Sequence, residues 1–390
     1  TIGYYVSLKK KCMKFYKILG VFHLLVISSL FISCTNDDNR PEMVSEEQMP
    51  DYIVIGQNFQ SVFQYNYDGS QDEGELFNLT QESNINREYL TLRQVSQVLT
   101  FFSFAAGSFS AVQRNHVTGE STFLNEFYTI SNERSVIWGA SSENKLFLGF
   151  FSPEASTNYG IRTIDLTTEQ ETDLIVEYNV NDVFEPLYYD GRLLVTYLDQ
   201  EANYKLAVLD TESNLIIRTF DFGKLVPSIL INKDGEMYIF SGNSASDYEL
   251  TLYDLQTLNV IQQDLFSINR YFLAGPIQSV ASIYNEKLYY LNLYAQPSLI
   301  PFGPATYDFI TKENVIIDMP SIVQQVQDEL GLDIELTAFA YNEKSNTFLM
   351  GYAKFVNVET LEGGVLIISE KGRLLKNTNL KFAPTRFIDN

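Results

Sequence analysis

The feature that most constrains this chain is a recurrence. A short apolar, β-branched and aromatic segment returns seven times, as DYIVIG, TFFSFAAG, KLFLGFF, RLLVTYL, EMYIFSG, KLYYLNLY and TFLMGYA, beginning near residues 51, 100, 145, 192, 236, 287 and 347. Most intervals are 44–49 residues, and the last two stretch to 51 and 60. A second marker runs in step with the first: an Asx, a short polar turn, then another strand. It reads YNYDGSQDEGELF, QRNHVTGESTFL, TIDLTTEQETDLIV, VLDTESNLIIRTF, LYDLQTLNVIQQDL and TYDFITKENVIID, with a weaker seventh, IISEKGRLLK, where Ser369 replaces the Asx. Asp and Asn side chains bond their own backbone two residues on and so start tight turns. Units of 40–50 residues with several short strands each predict an all-β fold, a seven-bladed β-propeller in which each blade buries its faces only against its neighbours. A two-sheet sandwich or a pair of β-domains is the competing arrangement, and two markers in register favour the ring.

A ring must close. DYIVIG has no strand before it, whereas KFAPTRFI at the C-terminus belongs to no unit. The C-terminal strand is therefore expected to complete the first blade. One helical pattern interrupts the strands, PSIVQQVQDELGLDIEL before the last blade: Ser321 reads as N-cap with Gln324 completing a capping box, Ile322, Val323, Val326 and Leu330 form an apolar face, and Gly331 ends it. As a lid this helix would be functional, and as a patch over a seam structural. The proline-bearing insertion at residues 293–307 is expected to form a stiff lip on the same face.

Before the repeats, Lys14 and Lys17 precede an apolar run ending at Ile32, too short for a stable span, so a secretory signal is expected. MKFYKILG, from Met13, reads as its start, and residues 1–12 as upstream sequence. FISC, at residues 31–34, resembles a bacterial lipobox, with Phe31 in place of the usual leucine, and the resemblance implies that Cys34 carries the lipid. CTNDDN resembles the tract that sends Bacteroidota lipoproteins to the cell surface, which implies an outer-membrane, surface-exposed location. The expected organisation is residues 1–33 as upstream residues and signal peptide, 34–50 as lipidated cysteine and disordered acidic tether, and 51–390 as the propeller. With Cys12 upstream and Cys34 acylated, no disulfide forms, and the fold relies on its core.

Removing the first 33 residues, which hold five basic and no acidic side chains, takes the formal net charge from −22 to −27. Nucleic acid and anionic lipid headgroups are poor partners for such a surface. His116, in the turn RNHVTGE, is the histidine left to the mature chain and reads as solvated, so neither a zinc or copper site nor a histidine-based nucleophile is expected. NYDGSQDEGE, with Asp68 and Asp72, alternates oxygen ligands as a calcium loop does, yet falls where a hairpin turn is required. No catalytic residue, resident metal or cofactor is expected.

Binding residues are suggested by position. At the entries to innermost strands the sequence reads NINREYL, SNERSVIW, SINRYFLAG and APTRFI, which sets Arg87, Arg134, Arg270 and Arg386 at equivalent places in four blades, with Lys224 as a possible fifth. A guanidinium ring at a channel mouth would grip carboxylates or catecholates bidentately. The alternative is that each arginine pairs locally and staples one blade to the next. Tyr271, Phe272 and Trp138 supply aromatic surface beside them, for a planar ligand or for the core. The strand–Asp–turn–strand repeat resembles bacterial surface-layer propellers and the seven-bladed lipoproteins that Bacteroidota encode beside TonB-dependent receptors. That resemblance implies capture of an anionic or aromatic, siderophore-like small molecule and a TonB-dependent transporter as partner. A surface scaffold for protein partners is the alternative, and a glycan hydrolase a further one.

Overall fold

The computed structural model describes residues 49–105, 107–129, 135–153, 156–242, 247–270 and 272–389. Cys34, the signal-like segment and the tether, together with Arg134 and Tyr271, lie outside the described residues. The rest form seven sheets, five of four strands and two of five, antiparallel except where Gly275–Pro276 pairs parallel with Val226–Ile231. Each sheet is a blade. Inner strands touch one another from blade 2 through blade 4 and from blade 5 through blade 7 to blade 1. These inner strands are Ala383–Ile388 in blade 1, Thr91–Val95 in blade 2, Ser135–Ser141 in blade 3, the split pair Asp182–Val183 and Leu187–Tyr189 in blade 4, Val226–Ile231 in blade 5, Ala281–Tyr284 in blade 6 and Glu335–Asn342 in blade 7.

The ring closes as the orphan strand predicts. Ala383–Ile388 pairs antiparallel with Tyr52–Gln57, so the two ends of the described unit share one sheet. Its approach is close: a Cβ at Gly56 would lie 2.3 Å from the Ala383 carbonyl oxygen. Phe382, fully buried, stacks on Phe63 with ring centroids 5.3 Å apart and locks the seam. Seven apolar clusters each join two neighbouring blades. Fully burying one aliphatic or aromatic side chain contributes about 1.5–3 kcal/mol, so these seams hold the ring.

The Asx marker sits at the turn between third and fourth strands. Asp165 Oδ1 accepts from the backbone nitrogens of Thr167 and Thr168, both at 2.9 Å. Asn115, Asp210, Asp254 and Asp308 accept in the same way, and Ser369 Oγ takes the seventh place by accepting from Arg373 N. At Asp68 the carboxylate accepts from Ser70 N and the Gln71 side chain, as a hairpin turn requires.

The sequence marks out one helix; the described residues hold two. The first, α1, is a single short turn, Leu79–Ser83. The second, α2, spans Met319–Leu330 and begins three residues earlier than expected. Its N-cap is Asp318, not Ser321: the Asp318 carboxylate accepts from Ser321 N and from Ser321 Oγ, and Pro320 fits the first turn because no donor is needed there. Gln324 bonds forward to Asp328 and does not close a capping box. Gly331 ends the helix at φ +66°, as read. Ile322, Val323 and Val326 are buried in the seam of blades 6 and 7, so the apolar face is a patch over that seam. Much of the expected lip is also regular structure, because Phe302–Asp308 is the third strand of blade 6.

Candidate functional site

Two adjoining cavities of about 540 and 210 Å³ occupy the channel and share residues 231–233, Gln278 and Asp389. Every blade contributes, through Arg386, Arg93, Ser141, Glu185, Asn232, Gln278 and Asn342 in blade order. Apart from Gln278, in the segment that enters the inner strand of blade 6, these residues belong to the inner strands or to the turns that leave them, so the cavities open where most inner strands end.

Strand alternation builds the positive centre. In Thr91–Val95, Leu92 turns into the seam with blade 1, so Arg93 takes the opposite face and enters the channel. From the inner strand of blade 1, Arg386 Nη1 donates to the Leu92 carbonyl at 2.8 Å. Arg93 Nη1 reaches the same carbonyl at 3.4 Å, its Nε donates to Gly139 O at 3.2 Å, and Nη1 meets Glu185 Oε2 at 3.2 Å. Arg93 Nη2 is buried with no hydrogen-bond partner among the described residues. Burial lowers the pKa of both guanidiniums, and for Arg386 the neighbouring Arg93 lowers it further. Among the described residues Arg386 pairs with no carboxylate. The Glu185 side chain that answers Arg93 is 71% exposed. The site is thus two close cations, one of them held by a single, solvent-facing counter-ion.

Of the arginines named from the sequence, the three among the described residues, Arg87, Arg270 and Arg386, do not meet at one place. Arg386 lines the channel. Arg87 stays on the loop before the inner strand of blade 2, bonded to the Phe59 carbonyl and 3.5 Å from Glu88. Arg270 is only 5% exposed, between the Tyr248 and Phe272 rings with its Nη1 on Ser228 Oγ, in the seam of blades 5 and 6. Burial brings its pKa down to about 10. Trp138 is buried in the seam of blades 3 and 4 against Tyr159. Lys224 bonds the carbonyls of Glu201 and Ala202.

Arg93 was not anticipated, because the inner strand of blade 2 begins after NINREYL, at Thr91, and Arg93 lies inside it. The usable signal was the alternation of TLRQV, with one apolar and one cationic face, directly ahead of a turn. His116 also departs from expectation. It is 3% exposed and lines the larger cavity; its backbone NH donates to Gln97 O, and its carbonyl accepts from Gln64 Nε2. Both ring nitrogens are buried without partners among the described residues, and burial lowers the imidazole pKa.

No protein-family model matches the sequence, and no curated protein matches it. The fold is similar to that of a prolyl endopeptidase (TM-score 0.49, 10% identity), with 76% of this chain covering 43% of that one. It is also similar to the β-propeller domain of the Trilobed protease from Pyrococcus furiosus (TM-score 0.45, 12% identity, 71% of this chain and 80% of that one). TolB from Acinetobacter baumannii matches with TM-score 0.39 and 12% identity over 86% of this chain and 81% of its own. The chain spans less than half the length of that prolyl endopeptidase, and these likenesses concern architecture alone.

Proposed function

We propose that this propeller is a non-enzymatic binding protein that captures an anionic small molecule, of carboxylate or catecholate class, in the axial cavity. The observation that carries the reading is the convergence of Arg386 and Arg93 on one carbonyl inside a cavity walled by blades 1 to 6, with blade 7 lining the cavity that adjoins it. Two like charges held this close repel, and an anion seated against both relieves the repulsion while satisfying their unused donors. Glu185, largely exposed, is a counter-ion that a ligand displaces at little cost. Each charge-assisted contact is worth roughly 1.5–3 kcal/mol. Anchoring in the outer membrane through a lipidated Cys34 and hand-over to a TonB-dependent transporter complete the proposal. Their support is the lipobox-like FISC and the repeat architecture.

Calorimetric titration with citrate and with 2,3-dihydroxybenzoate tests it. Binding of at least one should weaken about tenfold or more in Arg386→Ala and further in Arg93→Ala/Arg386→Ala. Failure of both compounds to bind the intact protein, or equal binding by the folded double variant, rejects the reading.

A further inference from the structure

The opposite end of the ring carries a second surface, independent of the ligand reading. In blade 7, Asn342 at the channel end pairs with Thr347, while Glu335 at the other end pairs with Ala353. The two long strands Thr347–Asn357 and Thr360–Ser369 therefore project their hairpin away from the arginine pair. Beside it lies a groove of about 890 Å³ with three walls: residues 299–302, one flank of α2, and residues 331–336 leading into the inner strand of blade 7. The register sets the groove's Ile334 next to the hairpin stem. Groove and hairpin form one continuous face, extended to blade 1 by the contact of Phe355 with Phe59, ring centroids 6.4 Å apart.

This face is apolar and acidic together. Leu299 is 97% exposed and Val358 93%, with Phe355 and Val356 also exposed. Asp328, Asp333 and Glu335 line the groove, and among the described residues no lysine or arginine does. Lys354 on the hairpin stem is paired with Glu362 at 3.6 Å, and on the blade 1 side Arg87, bonded to the Phe59 carbonyl, is paired with Glu88 at 3.5 Å. An apolar trough with a rim of uncompensated carboxylates repels anionic lipid headgroups and suits apolar side chains flanked by cations.

The geometry points to a protein-docking surface here, whose occupant is a segment of a partner polypeptide with leucine-, isoleucine- or phenylalanine-like side chains interspersed with lysine or arginine. The apolar side chains fill the trough between α2 and residues 299–302, and the cations meet Asp328, Asp333 and Glu335. The channel end stays open to ligand while the partner is bound.

A random 12-residue peptide library displayed on phage, selected against the full chain, tests this. Enriched peptides should combine apolar and basic residues, and synthetic copies should lose about tenfold in affinity against Leu299→Ser and against Asp328→Asn/Glu335→Gln. Both variants change exposed or rim positions and should melt with the parent. No enrichment, acidic enriched sequences, affinity unchanged in both variants, or binding to phosphatidylglycerol vesicles that the same substitutions abolish would each overturn the proposal. Citrate and 2,3-dihydroxybenzoate titrations are unaffected by these variants, so failure here is distinguishable from failure of the ligand site.

Discussion

Arg386 and Arg93, about 290 residues apart in the chain, donate to the same Leu92 carbonyl oxygen, at 2.8 and 3.4 Å. The contact ties the closing strand to blade 2, and Arg93 continues the tie through Gly139 of blade 3 to Glu185 of blade 4. One positive centre thus staples blades and faces the channel at once.

Removing the counter-ion separates binding from stapling. Glu185→Gln keeps the side-chain shape and frees Arg93 for an exogenous anion, so affinity for citrate or 2,3-dihydroxybenzoate should rise about fivefold, the worth of roughly 1 kcal/mol at an exposed pair. Loss of affinity measured by calorimetry would mean that Glu185 contacts the ligand directly.

Closure should dominate stability. Phe382→Ala removes a fully buried ring from the seam of blades 1 and 7 and should cost about 3–5 kcal/mol in urea unfolding. Truncation before Ala383 should cost more, because the inner strand of blade 1 and its ladder go with it. Parental stability in the truncated chain would show that the ring does not depend on this pairing.

Arg270 should behave as a seam residue. Its guanidinium lies 3.3 Å from the centre of the Tyr248 ring, so Arg270→Ala should lower stability by roughly 2 kcal/mol while leaving ligand affinity unchanged. A selective loss of binding in a variant that melts normally would return it to the site.

His116 gives stability a pH dependence near neutrality. Burial depresses its folded-state pKa below the unfolded value of about 6.5, so the folded state favours the neutral ring. The contribution is complete above about pH 6.5 and is lost as pH falls from there through the folded value. His116→Leu should flatten the decline in unfolding free energy between pH 7.5 and 5.5, and an unchanged slope would show that another group titrates there.

The turn aspartates act in a lower window. Asp165 is held below its ordinary value by hydrogen bonds from the Thr167 hydroxyl and from the backbone of Thr168 and Thr167, and Asp68, Asp210, Asp254 and Asp308 are lowered too. Groups depressed by folding stabilise above the unfolded value of about 3.9 and cease to do so as pH falls through their folded values. Acid unfolding of Asp165→Asn followed by circular dichroism should therefore be shallower below pH 4 than in the parent.

The sequence by itself determined what neighbours in the chain decide. The alternation of apolar strands and the Asx turn that joins third and fourth strands are set within a few residues, and their sevenfold return specifies the ring because a lone blade cannot bury its faces. The orphan C-terminal strand was legible for the same reason. Tertiary structure decided which cations meet. Between blade 1's strands the register shifts, with Ile55 opposite Arg386 and Gly56 opposite Pro384, leaving Thr385 as the extra residue. A one-residue bulge reverses the faces of everything beyond it, so Arg386 reaches the Leu92 carbonyl only through a pairing made after more than 300 residues of intervening chain. The burial of His116 beneath Gln64 of the next blade depends likewise on how blades 1 and 2 pack, which no local pattern of charge or hydrophobicity encodes; the alternation of TLRQV marks a cationic face at Arg93, but what that face meets is decided by the same packing.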